Sequence, residues 1–249
     1  MINMSEKFQP VSNTPPVGFA GKMKFYGRML LDLQILTIFK DVKKLLPTFT
    51  GNVLDIGCGQ SPYKFLLNKD KTRYYGIDII EASEFGYHNP DVTSFDGKHI
   101  PFEDEMFNAV ICTEVLEHVQ EYQYLIDEIY RTTKKNADII VTIPWSARYH
   151  YIPYDYFRYT PSSLKTMFAK FSEATILPRA TDIAVIGSKM IVLFVAGFFP
   201  AKPWKYIFLP LYILGLPLLA LAVFMAHLAI AFGIGNNEDP LGYTIVIKK

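Results

Sequence analysis

Asp55, Gly57 and Gly59 lie within NVLDIGCGQSPY (Asn52–Tyr63), where an apolar run breaks into a glycine turn. A strand that ends in spaced glycines and leads into a helix is an arrangement that holds a nucleotide. A dinucleotide site asks for a third glycine three residues on, and that position here is Pro62. Proline has no N–H, so a phosphate would lose a donor at this helix start. Asp55, an acid inside the turn motif, suits a ligand carrying an ammonium or a sulfonium better than one carrying pyrophosphate. The turn therefore favours a nucleoside without phosphates. Taken alone, the glycine pair has a second reading, a tight connection between strand and helix.

Three further acids follow at regular intervals. Asp78 closes RYYGIDI about twenty residues after the glycines, where a carboxylate can accept both ribose hydroxyls. Asp96 opens DGKHIPF, placed to accept from an exocyclic amine, and Glu114 sits at the end of FNAVICTE. Each alone reads as a solvated loop residue. Four acids at successive strand ends read as one cleft.

Two histidines could serve an acceptor that must lose a proton, since imidazole titrates near neutral pH. His150 ranks first as the candidate base and His118 second; a local packing role for His118 stands beside that reading. His150 opens HYIPYDYFRYTPSSLKTMF, which sets Tyr154, Asp155 and Arg158 among aromatic residues. Such a loop can bind a sugar-like or aromatic acceptor by stacking and hydrogen bonding. The alternative is a packed loop in which Asp155 and Arg158 form a structural ion pair. No metal ligands are assigned.

The elements that must position these residues alternate. Met23–Leu46 predicts one long amphipathic helix, with apolar residues three and four apart. NVLDIG, RYYGIDI, FNAVICTE and ADIIVTIP predict strands. SPYKFLLN predicts a helix capped by Ser61 with Pro62 at its first position, and YQYLIDEIYRTTK predicts another. This alternation argues for a parallel α/β sheet with helices on both faces and ligands beyond the carboxyl ends of the strands.

The motifs VLDIGCGQSPY, YYGIDI, DGKHIPFEDEMFNAVICTEVLEHV and IIVTIPW together resemble the class I S-adenosylmethionine-dependent methyltransferases. The similarity is to the small-molecule branch, of the "methyltransferase type 11" kind, whose middle reads D-x-x-x-[LI]-P-F…F-D. It covers roughly Gly51 to Pro144. The resemblance implies a Rossmann-like sheet, mostly parallel with an antiparallel last strand, S-adenosylmethionine as cofactor, and methyl transfer as activity. It further implies that Asp55, Gly57 and Gly59 border the methionine part of the cofactor, and that Asp78 holds the ribose. Asp96 would hold the adenine amine, and Glu114 would lie near the amino acid portion. Two positions depart from the pattern: Gln60-Ser61-Pro62 replaces the third glycine, and Asn108 replaces the acid after Phe107. The segment from His150 resembles one in methyltransferases encoded with glycan and cell-surface biosynthesis, which implies a small-molecule, glycan or lipid-linked acceptor.

Composition bounds the remainder. A chain of 249 residues, 50% hydrophobic, holds one full core and an appendage. A net charge of +1 does not suggest nucleic acid as a partner. Cys58 and Cys112 fall in core elements and suit a reducing compartment. A mean hydropathy of +0.15 is high for a soluble enzyme. The excess lies in IAVIGSKMIVLFVAGFFP and YIFLPLYILGLPLLALAVFMAHLAIAFG, between two strands, FSEATILPRA and GYTIVIKK, that by resemblance close the sheet.

The second apolar block meets the ~20-residue length for spanning a bilayer. The chain must nevertheless return to the same sheet, which excludes a single crossing. In a spanning hairpin, Lys202 and Lys205 would lie on the far side, against the positive-inside tendency. Trp204 between them reads as an interfacial anchor. We therefore expect a loose arm over 1–20, a methyltransferase domain over 21–182 and 239–249, and an insertion over 183–238. Residues 183–233 are expected to enter the cytoplasmic face of a membrane shallowly, with hydrophobic homodimerisation as the alternative. For function, the alternative is a membrane-associated binding or scaffold protein that keeps the cofactor fold without turnover.

Overall fold

The computed structural model describes residues 13–79, 89 and 92–249. The first twelve residues of the expected arm lie outside the described residues.

Four consecutive buried residues, Val53 to Ile56, set the strand β1 in the interior. In chain order the elements are α1 (Gly18–Arg28), α2 (Leu33–Leu45), β1 (Gly51–Ile56), β2 (Thr72–Ile79), β3 (Val92–Phe95) and β4 (Phe107–Thr113). There follow α3 (Tyr122–Thr132), β5 (Thr133–Pro144), α4 (Pro161–Met167) and β6 (Glu173–Arg179). The chain ends with α5 (Asp182–Phe198), α6 (Leu209–Leu214), α7 (Leu216–Phe232) and β7 (Gly242–Lys248).

The strands form one seven-stranded sheet in the order β3-β2-β1-β4-β5-β7-β6. β1 to β5 pair in parallel, and β7 runs antiparallel to both β5 and β6. Period-two alternation decides the two faces. Leu54, Ile56, Val110, Cys112 and Val141 point into a core with Leu125, Ile129 and Phe168. Val53, Ala109, Ile111 and Ile140 point into a second core with Phe39, Val42 and Tyr63. Strand order reverses between β1 and β4, so the crevice at which such sheets bind ligands opens beyond Ile56 and Thr113.

Several expected elements differ. The single helix over Met23–Leu46 is two, because Asp32 interrupts it: its carboxylate accepts from the Ile35 N–H at 3.2 Å and caps α2. Arg28 pairs with the same carboxylate at 2.8 Å. Gly18 to Ala20 already belong to α1, so the helix begins inside the expected arm. The helix expected at SPYKFLLN is only a 3-10 turn, Lys64–Leu66. Ser61 does not cap it; Ser61 has φ +52°, and its hydroxyl lies 2.9 Å from the Tyr74 hydroxyl. β3 and α4 were not expected, although Thr160-Pro161 is a legible helix start.

The insertion leaves and re-enters at the active edge of the sheet. Arg179, the end of β6, stands opposite Gly242, the start of β7, and Gly242 stands opposite Pro144, the carboxyl end of β5. α5 and α7 pack closely: a Cβ on Gly187 would lie 2.6 Å from that of Ala226. Their near halves bury Ala184, Val185, Ala226 and Ile230 against Leu33 and Leu241. The Lys40 ammonium donates to the Ile230 carbonyl at 2.6 Å, fixing the end of α7 to α2. The far half carries Phe199, Trp204, Ile207, Leu211 and Leu214, each of them largely exposed. Among the described residues, no single helix is long and apolar enough to cross a membrane; α5 and 203–214, bent by 116°, meet the criterion only together.

Candidate active site

Gly57 and Gly59 carry the chain over the end of β1 with φ +63° and +48°, a conformation that glycine adopts without strain. A Cβ at Gly57 would meet Val115 Cγ2 at 2.4 Å. The Gly59 N–H donates to Asp78 Oδ2 at 2.8 Å, and the Ile79 N–H donates to Oδ1 at 2.8 Å. Asp78 therefore joins the end of β2 to the glycine turn. Burial raises its pKa against those two donors.

Asp55 lies just beneath the turn and is buried. The Tyr74 hydroxyl donates to its Oδ2 at 2.7 Å. Burial pushes the Asp55 carboxyl up to about 7, despite that bond. A buried acid with one neutral partner fits a cationic group held above it, such as an ammonium.

Glu114 follows β4 with φ +54°, its N–H bonded to the Thr142 carbonyl at 2.9 Å. Its Oε1 accepts from Arg179 Nη2 at 2.8 Å. Asp96 lies in an exposed turn after β3, where its Oδ1 accepts from the N–H groups of Lys98 and His99 at 2.8 and 2.7 Å. Those donors hold its carboxyl well below the usual range.

The second half of the site is a histidine cluster. His118 and His150 lie edge to face, 5.2 Å between ring centres, and Tyr151 lies 4.3 Å from His118. His118 Nδ1 sits 2.8 Å from the Tyr154 carbonyl and so carries the proton. Burial lowers its pKa to about 4, so the ring is neutral. His150 Nδ1 sits 2.8 Å from the Arg148 carbonyl and 3.0 Å from Asp155 Oδ2. Arg158 grips Asp155 with both Nη atoms, at 2.5 and 2.7 Å. Burial opposes ionisation of Asp155, but Arg158 and the His150 N–H outweigh it and hold its pKa below the ordinary value. Asp155 and Arg158 thus form an ion pair in contact with His150. The Tyr154 side chain is exposed, and it is the backbone carbonyl that serves the cluster.

Three residues have no role assigned from the sequence. Glu117, completely buried, lies between Glu114 and His118, and its backbone carbonyl accepts from the Tyr156 N–H at 2.9 Å. Arg179 sits at the end of an edge strand, where a solvated side chain would be expected. Tyr74 is masked by the alternation of its own strand. The Glu117-His118 pair in EVLEHV was the available signal.

A parallel sheet with its switch at β1/β4, a glycine turn clamped by the acid of β2, and an antiparallel β7 make the fold of the class I S-adenosylmethionine-dependent methyltransferases. S-adenosylmethionine is the cofactor that Asp55, the glycine turn and Asp78 fit. The comparisons agree. Residues 54–141 match the family model described as a methyltransferase domain. An uncharacterized protein of Methanocaldococcus jannaschii is 30% identical over 122 residues, covering 47% of this chain and 53% of its own length. The demethylmenaquinone methyltransferase of Listeria monocytogenes is 26% identical over 159 residues, 57% of this chain and 67% of that protein. The chain therefore spans about half the length of the first of these relatives. A methyltransferase structure from Archaeoglobus fulgidus shares the fold, with a TM-score of 0.54 at 16% identity, over 91% of this chain and 99% of that one.

Proposed function

We propose that the chain transfers a methyl group to an oxygen or nitrogen of a lipid-linked acceptor at the cytoplasmic face of a membrane. S-adenosylmethionine supplies a methyl group on a sulfonium, an electrophile that needs in-line approach more than it needs activation. In this reading Asp55, the glycine turn and Asp78 fix the donor, with Asp96 next to the adenine. Glu114 borders the amino acid portion. The acceptor enters from the side of Tyr154 and the histidine cluster. As the new bond to carbon forms, the sulfonium keeps the electron pair of the broken bond. The acceptor's proton passes to the cluster, with Asp155 and Arg158 holding His150 in place and His118 beside it.

One observation carries the membrane part of the reading. The exposed apolar hairpin of α5 to α7 grows from the carboxyl edge of the sheet, between Arg179 and Gly242, beside Pro144 of β5. An apolar groove of about 620 Å³ between Leu30, Leu31 and α7, lined by Leu219, Val223 and Phe224, adjoins it. Exposed apolar surface of this extent marks an interaction site. A hairpin seated in lipid would bring the catalytic edge to the membrane surface, where a lipid-linked acceptor presents its head. The Listeria relative, named for demethylmenaquinone, has an acceptor of that lipid-like kind.

Incubating the protein with membranes and methyl-labelled S-adenosylmethionine tests this. Label is expected in the organic extract. Label confined to water-soluble material would replace the lipid-linked acceptor with a soluble one. Cofactor binding with no label transferred anywhere would favour the binding-protein alternative.

A further inference from the structure

Glu117, His118 and His150 converge in a way that the methyl donor does not require. Each offers one ligand atom, and the three atoms lie within 4.8 Å of one another. His118 Nε2 stands 3.5 Å from Glu117 Oε1, yet neither oxygen of Glu117 has a hydrogen-bond partner among the described residues. Glu117 is also completely buried. A buried carboxylate with no donor is costly, and natural proteins seldom leave one so.

The geometry points to a divalent metal site of the zinc type, with Glu117, His118 and His150 as its ligands. Two imidazoles and one carboxylate are a donor set used in catalytic zinc sites, which keep a fourth position open. Ligands bonded at ~2.0–2.2 Å in a tetrahedron stand roughly 3.4 Å apart, close to the separation of His118 Nε2 and Glu117 Oε1. Both rings are oriented as ligand imidazoles are. Nδ1 of His118 donates to the Tyr154 carbonyl and Nδ1 of His150 to the Arg148 carbonyl, which leaves Nε2 of each free to bind. Asp155 and Arg158 then act as the outer support of His150.

The spacing explains why the sequence did not reveal the site. Glu117 and His118 are adjacent, and the third ligand arrives thirty-two residues later on a loop pinned by the bonds of Tyr156 and Phe157 to the Glu117 carbonyl. The cation itself stands on the local geometry alone. Its role rests on the proposed function and changes its last step: with Nε2 of both histidines ligated, an acceptor oxygen at the open position would be polarised and would release its proton to water instead of to the cluster.

Co²⁺ titrated into metal-free protein, without S-adenosylmethionine, tests the site. One equivalent should bind with visible d–d absorption and be displaced by Zn²⁺. His150→Ala and Glu117→Gln should each weaken binding by about tenfold or more. Circular dichroism and retained S-adenosylhomocysteine binding report whether each variant folds, and partly exposed His150 serves if Glu117→Gln does not. Absence of binding, or binding unchanged in a folded His150→Ala variant, overturns the site. Methyl transfer that persists in chelator-treated protein, with Co²⁺ binding intact, would leave the ion bound but remove its role. A bound ion in a protein that transfers no methyl group would overturn the proposed function and leave the site standing.

Discussion

Arg179 Nη2 lies 2.8 Å from Glu114 Oε1, joining the last residue of β6 to the residue that follows β4. The guanidinium is completely enclosed, whereas the carboxylate retains about a quarter of its exposure. Nη2 also donates to the Ile143 carbonyl at 2.8 Å, while Nε and Nη1 find no partner among the described residues. The pair ties the root of the insertion to the cofactor crevice.

Its asymmetry gives the first prediction. Removing one partner of a buried pair costs up to ~3–5 kcal/mol, because the other charge is left uncompensated. Glu114→Ala strands an enclosed guanidinium, whereas Arg179→Met leaves a carboxylate that water can reach. Denaturant unfolding should therefore show Glu114→Ala to be the more destabilised of the two. The reverse order would mean that Glu114 does not neutralise Arg179.

Asp55 predicts a pH dependence. Its carboxyl is raised from 3.8 to about 7 by burial. The folded protein thus holds a proton that the unfolded chain releases near pH 4. The stability this contributes is complete below pH 4 and is lost as pH rises through about 7. The loss is on the order of a few kcal/mol. Melting temperature without cofactor should fall across that window, and Asp55→Asn, which can still accept from Tyr74, should flatten the decline. An equal slope in the variant would assign the titration to another group.

Asp78 is predicted to act through the turn as well as on the ribose. Its Oδ2 fixes the Gly59 N–H, so Asp78→Ala frees the turn and removes a ligand contact together. Calorimetry with S-adenosylhomocysteine should show binding weaker by at least ~1.5–3 kcal/mol, the worth of a charge-assisted hydrogen bond. Wild-type affinity would show that the cofactor lies elsewhere.

What the sequence disclosed follows from how local each signal is. β1, β4 and β5 are runs of buried residues, and Gly57 needs its positive φ, so strands and turn were readable from neighbours alone. The break at Asp32 was not, because the helical spacing continues across it. The helix expected after Pro62 failed because Ser61 turns to Tyr74, thirteen residues away in a neighbouring strand. Asp96 was legible by its spacing, while the two N–H groups that fix its carboxylate emerge only from the turn that follows β3. Arg179 and Glu117 take their meaning from partners on other elements, which one-dimensional spacing does not carry.

The last prediction concerns the hairpin. Ala226, Ala229 and Ile230 are buried at the root, and Leu219 and Val223 also pack against the cluster around Leu33 and Leu241, so Leu216 to Met225 of α7 is exposed along its other face. Ten helical residues rise about 15 Å, half of a hydrocarbon core of ~30 Å. In the proposed function the tip would enter one leaflet without crossing, with Trp204 and the adjacent Lys205 at the interface, the ammonium 5.9 Å from the ring. Ile207 and Leu211 are exposed and support nothing in the fold. Each contributes about 1.5–3 kcal/mol when buried in lipid, so Ile207→Asp with Leu211→Asp should lower vesicle partition by roughly a hundredfold or more. The melting temperature should stay unchanged. A cysteine replacing Lys202 should react with a water-soluble reagent added on the side that holds the catalytic domain. Reaction only from the opposite side would establish a spanning hairpin, and a wild-type protein that stays off vesicles as a dimer would assign the apolar face to a second copy of the chain.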